Sequence, residues 1–91
     1  MRLDISKFGQ FLTSRPAGRE AYLAARAYSL PKNPDEPIEL DFSQVKVLTP
    51  SWIDEFLRGL EEEYGADRIK PLPSDNPSVE LSLEAIKTTT A

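Results

Sequence analysis

Apolar residues along the chain follow two periods, one typical of strands and one typical of helices. Met1, Leu3 and Ile5 alternate with polar residues, so the pattern predicts a half-buried strand over 1–7. The same reasoning predicts the remaining elements, which are strands over 38–43 and 68–72 and helices over 15–29, 50–64 and 77–88. Strands that alternate with helices favour parallel pairing through right-handed crossovers. The predicted fold class is α/β, a small single layer of three to four mostly parallel strands with about three helices packed on it.

The spacing of apolar residues also indicates which helix faces are buried. In the first helix the predicted buried face consists of Ala17, Ala21, Ala24, Ala25 and Tyr28. In the second it consists of Ile53, Phe56, Leu57, Leu60 and Tyr64, and in the third of Val79, Leu83 and Ile86. Thr13 or Ser14 is predicted to cap the first helix and Thr49 the second. Pro71 indicates that the third strand is short or lies at a sheet edge, and residues 88–91 are predicted to fray.

Composition narrows the chemistry that the chain can perform. Its 91 residues include no Cys and no His, which excludes thiolate nucleophiles, imidazole acid–base catalysis, disulfides, and thiolate or imidazole zinc sites. A chain of this size also has little room for a deep substrate cleft, so we expect a non-enzymatic protein with no catalytic residue, no metal and no cofactor. The 11 Lys and Arg residues are outnumbered by 15 Asp and Glu, which disfavours nucleic acid as a partner. The length predicts a single domain over 1–91, and the lack of a long apolar stretch predicts a cytoplasmic protein without membrane contact.

Two basic residues near the start of the first helix are candidates for binding an anion. Arg15 and Arg19 lie one turn apart, and with Ser14 they form a candidate anion-binding site through bidentate contacts to a carboxylate or phosphate. The alternative is that Arg15 pairs with a carboxylate elsewhere in the fold. The strand end at Asp41 and Ser43 belongs to the same ligand-binding interpretation, because open α/β sheets often bind ligands at the ends of their strands.

The start of the second helix carries the other candidates. Ser51 lies where free backbone N–H groups and the helix dipole favour an anion. Trp52 is either an interface anchor or a residue that covers the rim of the core. Asp54 and Glu55 point about 100° apart on the helix, which is poor geometry for catalysis, and are predicted to pair with Arg58 at i+4 and i+3.

These motifs, taken in order, resemble a known family. The stretch from Leu40 to Phe56 resembles the core motif of the sulfate-transporter and anti-sigma-factor-antagonist (STAS) domains, in which an Asp-x-Ser-x-Val strand end leads to a Ser at a helix N-terminus. The chain is more similar still to the STAS-like family of unknown function. The segments that carry this resemblance are Phe8-Gly9, Ser14 to Gly18, Asp41 to Val45 and Pro50 to Glu55.

The resemblance implies a small STAS-like fold and a regulatory, non-enzymatic module that binds another protein. In anti-sigma-factor antagonists the Ser at the helix start, here Ser51, is phosphorylated by a partner kinase. By analogy the partner is a histidine-kinase-like ATPase in a bacterial-type regulatory pair, and the partner-binding residues are Thr49, Ser51, Trp52, Asp54 and Glu55.

This sequence departs from the antagonist pattern at several positions. Thr49 stands where an Asp is usual, Pro50 replaces a small residue and Trp52 replaces a Gly. Asp54 and Glu55 would also repel a phosphate one turn away. The alternative for Ser51 is a helix-start residue that hydrogen-bonds the backbone. The alternative functions are a small-ligand or anion-sensing domain and a structural subunit of a larger assembly.

Overall fold

One or two strands precede each α-helix in a computed structural model that describes residues 1–31, 33 and 35–90, with the side chains of 87–90 left aside. The described strands are β1 (Arg2–Asp4), β2 (Phe11–Leu12), β3 (Ile38–Asp41), β4 (Val47–Leu48) and β5 (Ile69–Pro71). The described helices are α1 (Arg15–Tyr28), α2 (Pro50–Tyr64) and α3 (Pro77–Thr90). This order confirms the predicted α/β class. Within the described ranges, no helix is both long enough and apolar enough to cross a membrane.

The strands form two small parallel sheets, which corrects the predicted single layer of three to four strands. One sheet has the order β1-β3-β5, with Leu3 opposite Leu40 and Ile38 opposite Ile69. The other pairs β2 with β4, and Leu12 lies opposite Leu48. The two-residue strands are too short to produce a recognisable alternation, so the pattern could not reveal them. The Pro-containing strand β5 lies at a sheet edge, as predicted.

Each predicted strand is longer than the strand observed, because a local turn ends or precedes it. The predicted strand over 1–7 is wrong beyond Asp4, since Ile5–Phe8 form a 3₁₀ turn. The Asp4 carboxylate starts this turn by accepting hydrogen bonds from the Ser6 N–H at 3.0 Å and the Ser6 hydroxyl at 2.7 Å. Likewise, β3 ends at Asp41 rather than at residue 43, and a 3₁₀ turn over Ala66–Arg68 delays the start of β5.

Helix α1 begins as predicted, and its buried face includes the predicted Ala17, Ala21 and Ala25 but is shifted toward Gly18 and Tyr22. Ser14 caps it by accepting a hydrogen bond from the Ala17 N–H at 3.3 Å. The buried residues are Gly18, Ala21, Tyr22 and Ala25. Ala24 is exposed and Tyr28 is 91% exposed, so their predicted burial is wrong. The close approach of α2 at Gly18 fixes which side of α1 faces inward.

Helix α2 confirms the predicted apolar stripe. Ile53, Phe56, Leu57 and Leu60 are buried, and Tyr64 is partly buried. Thr49 occupies the cap position, but the prediction that its hydroxyl caps the helix is wrong. That hydroxyl instead donates to the Leu12 carbonyl at 3.2 Å, which ties the start of α2 to β2.

Helix α3 packs through its apolar side and also closes one edge of β4. Val79 is fully buried, while Leu83 and Ile86 are partly buried, in line with the prediction. The Ser78 hydroxyl accepts from the Leu48 N–H and donates to the Leu48 carbonyl, both at 2.9 Å, and the buried Ser82 hydroxyl donates to the same carbonyl at 2.7 Å. Side chains of α3 therefore satisfy the backbone of a strand edge that would otherwise be open.

The end of α3 differs from the predicted end at residue 88. The helix continues through Thr90, so the backbone of 88–90 is helical where fraying was predicted. Residue 91 of that predicted frayed tail lies outside the described residues.

Candidate functional site

Ser51 lies at the second position of α2 with its side chain exposed. Its hydroxyl makes no hydrogen bond to any described residue, so the interpretation of Ser51 as a residue that bonds the backbone is wrong. The preceding Pro50 occupies the first helical position, which needs no N–H donor. The structure therefore leaves the Ser51 hydroxyl accessible to solvent at the positive end of the helix dipole.

Trp52 belongs to the core. It is only 2% exposed and stacks on Phe56, with ring centroids 5.0 Å apart and planes inclined by 15°. Phe8 packs against both rings, at centroid distances of 6.3 Å and 5.5 Å. The prediction that the Trp52 side chain contacts a partner is therefore corrected. More of the α2 surface is buried than the i, i+3, i+4 stripe predicts, because α2 contacts α1 as well as α3 and β5.

Arg15 connects the two groups of candidate residues that the sequence treated separately. Its Nη1 donates to Asp54 Oδ2 at 2.7 Å and to Glu55 Oε1 at 3.4 Å. Arg58 Nη2 donates to the same Asp54 oxygen at 3.1 Å. The interpretation that Arg15 pairs with a carboxylate elsewhere in the fold is confirmed, as is the i,i+4 pair of Asp54 with Arg58. Glu55 pairs with Arg15 rather than with Arg58.

The electrostatics of this group, which we call the Arg15 cluster (Arg15, Asp54, Glu55 and Arg58), follow from its position near the surface. The Arg15 side chain is 50% exposed, whereas Asp54 and Glu55 are 18% and 16% exposed. Hydrogen bonds to Asp54 and then to Glu55 raise the pKa of the Arg15 guanidinium above its ordinary value. The cluster is therefore a charged network that solvent can reach.

The other members of the candidate anion site do not converge on Arg15. Ser14 uses its hydroxyl oxygen to cap α1, and Arg19 is exposed and makes no ion pair with a described residue. Gly18, which the resemblance includes, faces the backbone of Trp52 rather than solvent. The structure thus brings Arg15 to α2 and leaves Arg19 on the outer surface of α1.

The Asp-x-Ser element at the end of β3 is a local turn. Asp41 Oδ1 accepts a hydrogen bond from the Ser43 N–H at 2.9 Å. This bond, a contribution from the Ser43 hydroxyl and the charge of Arg2 hold the pKa of the Asp41 carboxyl below its ordinary value. The motif directs the chain away from the sheet and toward β4, which leads into α2.

Ser51, Asp54, Glu55 and Arg58 share one face of α2, since they occupy positions i, i+3, i+4 and i+7. Arg15 reaches this face from α1. The sequence signalled each residue but not their association, because Arg15 and Asp54 are separated by 39 positions and meet only when α1 and α2 pack together.

Small parallel sheets with helices packed on them, an Asp-x-Ser turn and an accessible serine at a helix start together agree with the STAS-like α/β domain that the resemblance implies. The chain belongs to the family described as STAS-like domain of unknown function (DUF4325), which matches residues 26–79. The matched range includes the Asp41 turn and the start of α2 and excludes Ser14 and Arg15. No curated protein and no solved structure matched the chain. A STAS-like domain suggests a regulatory or interaction module.

Proposed function

We propose that this protein is a non-enzymatic regulatory module whose N-terminal part of α2 binds a partner protein. The observation that carries the proposal is the exposed Ser51 hydroxyl, which makes no hydrogen bond to a described residue and lies one turn before the Arg15 cluster. Thr49, Asp54 and Glu55 belong to the same surface, while Trp52 supports it from the core. The resemblance to anti-sigma-factor antagonists supports a histidine-kinase-like ATPase as the partner.

Phosphorylation of Ser51 is the proposed switch of this surface. A phosphate at the second helical position gains from the free N–H groups and the helix dipole, but Asp54 and Glu55 repel it. Arg15 offsets this repulsion, because its guanidinium pairs with both carboxylates and has the planar geometry that binds phosphate oxygens. Transfer of Arg15 from the carboxylates to the phosphate would alter both the charge and the shape of the surface that the partner binds.

The test is affinity capture from the native lysate in the presence of Mg-ATP, with proteins and modified residues identified by mass spectrometry. The wild-type chain is expected to recover an ATPase and to carry phosphate on Ser51. Ser51→Asp should lose that partner, whereas Ser51→Ala should retain it and carry no phosphate. Ala24→Asp is the matched control, since it adds one negative charge at an exposed position of α1. Equal recovery by all four proteins would reject the switch.

An anion-sensing function for Ser14, Arg15 and Arg19 has less support, because the Ser14 hydroxyl caps α1 and Arg19 does not converge on Arg15. A thermal-shift screen against phosphate, sulfate and nucleotides distinguishes the two functions. Stabilisation that Arg19→Gln abolishes would favour the anion sensor.

A further inference from the structure

A groove of about 1070 Å³ lies between α2, α3 and the segment that joins β5 to α3. Part of its lining is apolar, and the side chains that provide it are Leu57, Ile69, Leu72, Val79, Leu83 and Ile86. Leu72, Leu83 and Ile86 are only partly buried. The groove therefore presents apolar surface to solvent at a place where α2 and α3 diverge.

The border of the groove is negatively charged. Glu61 and Glu62 from α2, Asp75 from the segment before α3, and Glu80 from α3 all line it and are all exposed. Among the described residues, none of these four carboxylates forms an ion pair. The basic side chain in the lining, Arg58, already pairs with Asp54. An occupant that brings positive charge would gain from these four carboxylates without breaking an existing ion pair.

We propose that this groove binds a cationic amphipathic helix of a partner protein. Its lining residues run from Asp54 to Glu62 on α2, a rise of about 12 Å, which corresponds to roughly two helical turns. A helix of that length presents apolar side chains at i, i+3, i+4 and i+7 to the groove and can place Lys or Arg on both flanks. A second copy of this chain is a poorer occupant, because each copy has a net charge of −4.

This inference goes beyond the proposed function, since it uses mainly the later turns of α2 together with α3 and needs no change at Ser51. The two surfaces meet at Asp54 and Arg58, which belong to the Arg15 cluster and also line the groove. Loss of binding in the groove would leave the Ser51 proposal intact, and the reverse also holds.

The test is a titration of the ¹⁵N-labelled chain with a synthetic Lys/Leu peptide of about 15 residues, long enough to form a helix. Leu occupies the i, i+3, i+4 and i+7 positions, and a peptide of identical composition in scrambled order is the control. Shift changes are expected along the groove-facing parts of α2 and α3 and in the segment 72–76. Affinity for the ordered peptide should exceed that for the scrambled peptide by about tenfold and should fall with added salt.

Two matched variants separate a specific groove from general attraction to an acidic protein. Glu61→Lys should weaken binding of the ordered peptide by about tenfold. Glu20→Lys makes the same change at an exposed α1 position outside the groove and should leave binding nearly unchanged. Equal binding of the two peptides, equal losses in the two variants, or shift changes outside the groove would overturn the proposal. So would groove shifts that depend on protein concentration alone, because they would identify a second copy as the occupant.

Discussion

Gly59 of α2 lies directly against the aromatic ring of Tyr22 in α1. A Cβ atom at Gly59 would stand 2.6 Å from Tyr22 Cγ, which is closer than real Cβ contacts allow. The ring has little freedom to move, because Tyr22 is 8% exposed and its hydroxyl donates to Glu63 Oε2 at 3.1 Å. The two helices are therefore held at a separation that only glycine permits.

Substitution of either interhelical glycine should destabilise the fold. Ala has the better helix propensity, by about 1 kcal/mol, yet overpacking a close contact typically costs about 1–3 kcal/mol. Gly18→Ala should cost more than Gly59→Ala, because its Cβ would meet the backbone of Trp52, with the Cα at 3.1 Å, rather than a side chain. Thermal and urea denaturation measure both effects. A higher melting temperature for either variant would contradict the packing described.

The single tryptophan offers a direct optical test of the core. Because Trp52 is 2% exposed and stacked on Phe56, its emission in the native protein should be blue-shifted and poorly quenched by acrylamide. Unfolding in urea should shift the emission to longer wavelength and restore quenching. Efficient quenching in the native protein would instead place the indole at the surface, where a partner could reach it.

The ion pairs of the Arg15 cluster should stabilise the packing of α1 on α2, and this stabilisation should decrease as salt is added. Arg15→Gln should lower stability slightly at low ionic strength, and the effect should shrink as salt screens the exposed guanidinium. A double-mutant cycle with Asp54→Asn measures the interaction free energy between Arg15 and Asp54. Arg19→Gln is the matched control, since Arg19 is exposed on the same helix without an ion pair to a described residue. Identical behaviour of the two arginine variants would rule out the coupling.

Acid should weaken the turn at the end of β3. Hydrogen bonds from Ser43 lower the pKa of Asp41 from the ordinary value of 3.8 in the folded chain. The unfolded state therefore binds the proton more readily, and the contribution of Asp41 is present above that ordinary pKa and is lost as pH falls through the lowered one. Carboxyl titration by NMR should place Asp41 below 3.8, and Ser43→Ala should shift it back partway. An unshifted Asp41 would show that the turn does not form.

Ser78 and Ser82 of α3 should contribute unequally to the stability of the hydrogen bonds at the edge of β4. Ser78→Ala removes the acceptor of the Leu48 N–H, and an unpaired buried donor costs about 1–3 kcal/mol. Ser82→Ala leaves the Leu48 carbonyl with its bond from Ser78, so a smaller loss of about 1 kcal/mol is expected. Hydrogen exchange at the Leu48 amide should accelerate in Ser78→Ala more than in Ser82→Ala. The opposite order would show that the two bonds are assigned incorrectly.

Local patterns predicted the helices well, because the period of apolar residues depends only on neighbours along the chain. Ile53, Phe56 and Leu60 were identified in this way. By contrast, the exposure of Tyr28 and the burial of Trp52 depend on the rotation of α1 and α2 about their axes, which the glycine contacts determine. The apolar period indicates the centre of a buried face, but it does not reveal that Gly18 and Gly59 lie at the contact between α1 and α2.

The same distinction applies to the candidate site. Ser51 was recognised because Thr49 and Pro50 mark a helix start and because the resemblance to anti-sigma-factor antagonists places their phosphorylated serine at this position. The partner of Arg15 could not be chosen from the sequence, since several carboxylates were available and only the packing of α1 on α2 selects Asp54 and Glu55. The groove is even less predictable, as its lining comes from three separate elements.

The hydrogen bonds from α3 to Leu48 have a mechanical consequence. Leu48 immediately precedes Thr49, and Ser51 follows two residues later, so the segment that presents Ser51 is anchored on one side by β2 and on the other by Ser78 and Ser82. A load that pulls α3 away from β4 acts on these bonds. The start of α2 is therefore coupled through β4 to the N-terminal turns of α3, and force applied to α3 reaches the backbone three residues from Ser51.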